Sequence, residues 1–253
     1  MKMRQPIFRP DQEICIYEVA RKSPFVQPFV PGKSFEGREI VFARITDPAV
    51  PDKDKQIAFV TGGTHGSEET GRASAMAFLE WLALDAAAEA TRRSQVIYLT
   101  TCLNPDGSIR NSYHNAQDVN IYNCFRSGEM EPAAHEARIL RDLVLEHKPE
   151  ICIDVHGLAG GGMNDTTYLH ACFPSNLTFP FSQLMGRDAQ TAAEAAGIPQ
   201  SEPKLHGTFR SATEPLPYMA WAHERHNSLC FTVETTENYY PLEYTRASGR
   251  AKL

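Results

Sequence analysis

The sequence predicts an α/β fold, a mixed and mostly parallel sheet with helices on both faces. Three observations predict it. Apolar, β-rich runs alternate along the chain with segments of helical composition, the pattern of strands joined through crossover helices. One run, "KQIAFVTGG" (55–63), is apolar almost throughout, as expected of a strand covered on both faces. Polar residues of chemical interest fall at or just past the ends of such runs, where open α/β sheets gather their ligands.

The elements follow in order. The first 33 residues hold Pro6, Pro10, Pro24, Pro28 and Pro31. Proline fixes φ and lacks an N–H, so this arm, at about 1–33, is expected to contain little regular structure. "REIVFARIT" (38–46) and "KQIAFVTGG" read as strands. "SEETGRASAMAFLEWLAL" (67–84) has helical composition, with two glutamates at its start facing the positive end of the helix dipole. "SQVIYLTTCLN" (94–104) is a strand. "EPAAHEARILRDLVLEHK" (131–148) is a helix entered through Pro132, with Ala133, Ala137, Leu140 and Val144 on one face. "EICIDVHG" (150–157) and "YLHACF" (168–173) are strands. "FSQLMGRDAQTAAEAAGI" (181–198) is a helix stopped by Gly197 and Pro199, and "SLCFTVET" (228–235) is the last strand. The glycine-rich "GLAGGGMNDT" (157–166) reads as a mobile loop.

Bulk properties narrow the function. The chain has 253 residues, 42% hydrophobic and 22% charged, enough for one well-buried core, and 1–253 is read as a single domain. A net charge of −6 gives no basic footprint for nucleic acid. No apolar run approaches the roughly 20 residues that span a bilayer, and "MKMRQPIFRPDQ" lacks the apolar core of a signal peptide. Six cysteines in a chain of this length are not a disulfide framework. Cys102, Cys152 and Cys230 lie in apolar runs, where a thiol packs as a small hydrophobe. A reducing, cytoplasmic setting is expected.

Three strand ends carry candidate chemistry. His65 and Glu68 follow "QIAFVTGGT", His156 closes "EICIDV", and Glu234 ends "SLCFTV". Two imidazoles and one carboxylate are the protein ligands of a catalytic zinc site that keeps its fourth position for water. Glu234 is then the carboxylate that takes a proton from the activated water. A histidine followed three residues later by glutamate is a weak signal by itself. The chain repeats it at His147 and Glu150, where it leaves a helix end through a proline and reads as solvated surface. His135, His223 and His226 lie in helical, charge-rich surroundings and read as surface or satisfied histidines.

From about Lys33 to Glu234 the chain resembles the zinc carboxypeptidase superfamily, in particular its compact deacylase branch of succinylglutamate desuccinylase and aspartoacylase type. The resemblance lies in "GKSFEGREI", "TGGTHGSEETG", "NPDG" (104–107), "DVHG" and "FTVET", which occur in the family's order. It implies that His65, Glu68 and His156 hold one zinc ion. It also implies that Glu234 is the general base, passing its proton on to the leaving amine.

The departures bear on substrate. Aligned without gaps, "NPDGSIRNSYHNAQDVNIYNCF" (104–125) sets Tyr113 where the family has the arginine that stabilises the oxyanion. Tyr122 and Asn123 fall on the asparagine–arginine pair that grips a terminal carboxylate, and Ser67 replaces another arginine. None of these reproduces a bidentate guanidinium clamp, although a tyrosine hydroxyl can donate to an oxyanion. Tyr113, Asn123 and Arg210 are the candidate substrate-binding residues. Arg110, Arg126 and Arg210 could restore a positive charge by another route, but their context favours the reading as surface cations. The family's substrate-facing tyrosine maps near Ala212, and neighbouring Tyr218 reads equally as a packed turn.

The expectation is a zinc-dependent hydrolase of an amide bond, either a deacylase of small N-acyl compounds or a peptidase of non-standard specificity. The alternative is a catalytically silent descendant that binds a ligand or partner. A serine hydrolase lacks its Gly-x-Ser-x-Gly elbow after a strand. Oligomeric state leaves no trace in the sequence.

Overall fold

The computed structural model describes residues 12–128, 130–158, 168–171 and 215–236, with residues 184, 187, 188, 191, 192 and 195. Its strands are β1 (Val26–Lys33), β2 (Glu39–Ile45), β3 (Gln56–Gly62), β4 (Gln95–Thr100), β5 (Ile151–Leu158), β6 (Tyr168–Ala171) and β7 (Leu229–Thr236). Its helices are α1 (Gln12–Lys22), α2 (Glu69–Leu84), α3 (Glu89–Ser94), α4 (Pro105–Arg110), α5 (His135–His147) and α6 (Tyr218–His226). The strands form one sheet in the order β1-β2-β4-β3-β5-β7-β6. Neighbours β4, β3, β5 and β7 run parallel. β2 opposes β1 and β4, and β6 opposes β7. β1 therefore points the same way as the parallel centre, and the mixed, mostly parallel expectation holds.

Side-chain alternation builds a core on each face. On β3, Ala58 and Val60 join Ile16 of α1 and Met76 and Leu79 of α2. Phe59 between them turns to the other face, with Leu140 and Val144 of α5 and Trp221 of α6. β2 and β4 repeat the pattern: Val41, Ala43, Ile97 and Leu99 enter the first core, and Phe42, Val96 and Tyr98 the second. Phe59 and Trp221 are fully buried, so truncating either to alanine removes about 3–5 kcal/mol of stability. Cys152 and Cys230 are buried thiols that form no disulfide among the described residues, as their apolar runs suggested. Among the described residues no helix is long and apolar enough to cross a membrane.

The proline-rich arm departs from expectation, because residues 12–33 hold both α1 and β1. Pro24 lies between them, where a break is wanted. Pro28 and Pro31 lie on β1, which ends the strand order and has no partner strand on its outer side among the described residues. The register also shifts between Phe29 and Gly32, around Pro31. Edge strands and bulges are the places where a strand tolerates proline.

Two boundaries also differ. β4 ends at Thr100, and the chain bends so that Asn104 caps α4 through its side chain, which accepts the Gly107 N–H at 2.9 Å, with Pro105 in the first turn. Asparagine at the cap and proline at the first position are both helix-start signals. α5 starts at His135 rather than at Pro132. The glycine-rich loop and most of the expected 181–198 helix lie outside the described residues.

Candidate metal centre

β3 delivers its polar residues through a turn that depends on glycine. Gly63 has φ +65°, and a Cβ there would sit 2.8 Å from Arg72 Cγ. At Gly66 a Cβ would come within 2.1 Å of the Gly107 carbonyl carbon, so the loop after β3 lies directly on the backbone of α4. At Gly71 it would come within 2.6 Å of the Val155 carbonyl oxygen, so α2 packs its first turn onto β5. These close approaches bring His65, Glu68 and His156 together from segments far apart in sequence.

The three side chains are buried. One ligand atom from each lies within 4.8 Å of the others. His65 Nδ1 is 2.9 Å from Glu68 Oε1 and 3.1 Å from His156 Nδ1, and His156 Nδ1 is 3.0 Å from Glu68 Oε2. The opposite ring nitrogens are occupied by oxygen acceptors. His156 Nε2 donates to Asp154 Oδ2 at 2.8 Å, and His65 Nε2 donates to Asn120 Oδ1 at 3.1 Å. With both Nε2–H groups so engaged, the two Nδ1 atoms face the carboxylate and share protons with it. Once those protons are given up, the Nδ1 lone pairs and the carboxylate are a set that fits a divalent cation and matches zinc's preference for nitrogen and oxygen ligands.

The charges around the centre are interlocked. Burial alone would raise the Glu68 carboxyl, but hydrogen bonds from His156 and His65 hold it down at about 2. Burial opposes charge on His156, yet Asp154 and then Glu68 hold its pKa well above the usual imidazole range. Asp154 is fully buried and accepts hydrogen bonds from the hydroxyls of Thr61 at 2.6 Å and Thr64 at 2.8 Å. Its own pKa is lowered: burial pushes it up, and His156 with the two threonines more than offsets that.

Glu234 is the register partner of His156 across β5 and β7. Partners on adjacent parallel strands lie about 4.8 Å apart and point to the same side, so the carboxylate stands beside the donor set. Burial pushes its pKa up to about 7, and Glu68 and Asp154 add to the rise while His156 opposes it.

Tyr113 stacks on His65, with ring centroids 3.6 Å apart and planes at 20°. Its hydroxyl is hydrogen-bonded to the Asn120 side chain, and its pKa is raised by burial first and then by Glu68. Tyr122 meets His156 edge-on at 5.1 Å and shares a hydrogen bond with Thr232. Asn123 is half-buried, and its N–H donates to Asn120 Oδ1 at 3.2 Å. Arg210 and Ala212 lie outside the described residues. Arg110 pairs with Glu36 and Arg126 is exposed, so both keep their surface reading. Tyr218 is buried in the core of α6 beside Phe125, which favours its packing role.

Two residues of the site were not read from the sequence. Asp154 had a signal: a carboxylate inside an apolar strand, two residues before His156 and so on its face. Asn120 had none, because its partners are set by loop packing.

Residues 14–128 match the zinc carboxypeptidase family. Among curated proteins, none matches the chain. In fold it is similar to a Shewanella denitrificans protein provisionally assigned as carboxypeptidase A, with TM-score 0.80, 18% identity and coverage of 96% of this chain and 66% of that one. It is similar also to a metallo-carboxypeptidase from Burkholderia cenocepacia, with TM-score 0.75, 17% identity and coverage of 97% and 67%. A third likeness is to a metallo-carboxypeptidase from Pseudomonas aeruginosa in complex with (2-guanidinoethylmercapto)succinic acid, with TM-score 0.77, 17% identity and coverage of 97% and 67%. The chain spans about two thirds of the length of these structures. The likeness is to carboxypeptidases in general rather than to the deacylase branch in particular. The chain thus has the zinc carboxypeptidase fold, with residues 14–128 matching that family in sequence, built around a His65–Glu68–His156 zinc-binding centre.

Proposed function

We propose that the protein is a zinc-dependent hydrolase of amide bonds, a peptidase of non-standard specificity or a deacylase of small N-acyl compounds. The observation that carries the reading is the pairing of Glu234 with His156 at the edge of the convergent donors. When bound there, zinc lowers the pKa of a water molecule and polarises a substrate carbonyl.

The chain's own residues supply the rest. Glu68, His65 and His156 are held as electron-pair donors by Asp154, Asn120 and the Gly157 N–H, which donates to Glu68 Oε2 at 3.1 Å. Glu234, with its pKa near neutrality, is suited both to accept the proton of the attacking water and to return it to the leaving nitrogen. The Tyr113 hydroxyl remains protonated and is available as a donor to a developing oxyanion. Asn123 offers a neutral amide where a carboxylate-gripping family member carries arginine, so a substrate without a free terminal carboxylate suits this position. The same neutral residues support a second reading, a ligand-binding descendant without turnover.

The test is a panel of N-acyl amino acids and short peptides, with free and amidated C-termini, offered to the zinc-loaded protein. Hydrolysis by the wild type, lost in Glu234→Gln with zinc retained, is the expected result. Stoichiometric zinc with no turnover of any member would establish the silent reading instead.

A further inference from the structure

A second cleft, of about 620 Å³, opens between β1 and α5 on the α5 side of the sheet and shares no residue with the metal centre. Its size falls in the range of small-molecule sites. Its walls are partly aromatic, through Phe29, Tyr98 and His147. His147 stacks on Tyr98 with centroids 4.2 Å apart and planes at 16°, and Phe29 meets Tyr98 edge-on at 6.0 Å. His147 is thus given a packing role, not the solvated position its sequence context suggested.

Charge around the cleft is lopsided. Arg44, the one cation besides His147 among the described lining residues, is already neutralised: it pairs with Asp52 and donates to Gln27 Oε1 at 3.4 Å and to the Tyr98 hydroxyl. Asp142 is engaged by its neighbour Arg141 at 2.6 Å. Glu146, one helical turn beyond Asp142, lines the same cleft, is exposed, and has no ion-pair partner among the described residues. Burial lowers the His147 pKa, so near neutral pH its ring presents a π face rather than a competing positive charge.

We propose that this cleft binds a small organic cation with a planar or apolar body, its charge set against Glu146 and its body against the rings of Phe29, Tyr98 and His147. Aromatic faces attract such cations, an unpaired carboxylate adds charge attraction, and among the described lining residues no free guanidinium opposes them. The inference stands apart from the hydrolase reading, since it uses none of that site's residues.

Benzamidine is a suitable probe, with neutral benzamide and anionic benzoate as controls of nearly the same shape. Binding to the zinc-loaded protein is followed by calorimetry and by the aromatic NMR signals of His147 and Tyr98. Saturable benzamidine binding that perturbs those signals is expected, with no binding of benzoate. Glu146→Gln, at an exposed helix position, should weaken it about fivefold, and added salt should weaken it too. The proposal is overturned by failure of benzamidine to saturate at millimolar concentration, by unchanged affinity in Glu146→Gln, by equal binding of benzamide, or by perturbation of His65 and His156 in place of His147.

Discussion

Asp154 Oδ2 accepts the His156 Nε2–H at 2.8 Å, and both groups lie on β5 with one residue between them. The bond fixes the tautomer that presents Nδ1 to the metal. Asp154→Asn keeps the shape but removes the charge and can offer Nε2 an N–H in place of an acceptor. Zinc affinity, measured by competition with a coloured chelator, should fall about 10- to 100-fold. An unchanged dissociation constant would show that loop packing alone orients His156.

Glu234 links the site to stability through its proton. Its folded pKa of about 7 stands above the ordinary carboxyl value of 4.5. Between those two values the folded state keeps a proton that the unfolded state has released. The stabilising contribution is therefore fully present below about pH 4.5 and is lost as the pH rises to about 7. Glutamine has no such titration. Metal-free Glu234→Gln should melt higher than metal-free wild type at pH 8, by up to about 3 kcal/mol or several degrees, and the gap should close towards pH 4.5. Thermal melts at the two ends of this range check the sign; a variant no more stable at pH 8 would mean that the carboxylate is solvated.

Gly66 tests the loop geometry. A methyl group there would lie 2.1 Å from the Gly107 carbonyl carbon and 2.3 Å from the Ser108 nitrogen. Both contacts are backbone, so Gly66→Ala must separate the His65 loop from α4. We expect a loss of about 1–3 kcal/mol or more, together with weaker zinc binding, read by melts and chelator competition on the same sample. Wild-type affinity in a stably folded variant would show that the ligands do not depend on this contact.

How much was legible follows from what each feature depends on. The central strands were readable because β3 and β5 are covered on both faces and so read as apolar runs, and the metal ligands because they sit where those runs stop. β1 was missed since proline is a sound argument against a strand in the middle of a sheet and a poor one at its edge. α4 was missed although Asn104 and Pro105 announce a helix start, because the strand reading was carried four residues too far. Asn120 was out of reach: it matters through His65, Tyr113 and Asn123, and only the folded loop brings those three to one amide.

Tyr113 separates chemistry from packing. Its ring covers His65, and its hydroxyl is bonded to the same Asn120 that holds the His65 Nε2–H. Removing the hydroxyl alone, in Tyr113→Phe, leaves the stack in place; Tyr113→Ala removes both. If the hydroxyl serves an oxyanion, kcat in Tyr113→Phe should fall about 10²- to 10³-fold with KM and zinc content little changed. Tyr113→Ala should add a loss of zinc affinity, because His65 loses the ring that restrains it. A Phe variant with normal kcat, beside an Ala variant with weak zinc binding, would assign Tyr113 to holding the ligand and move the search for the oxyanion donor elsewhere around the open side of the centre.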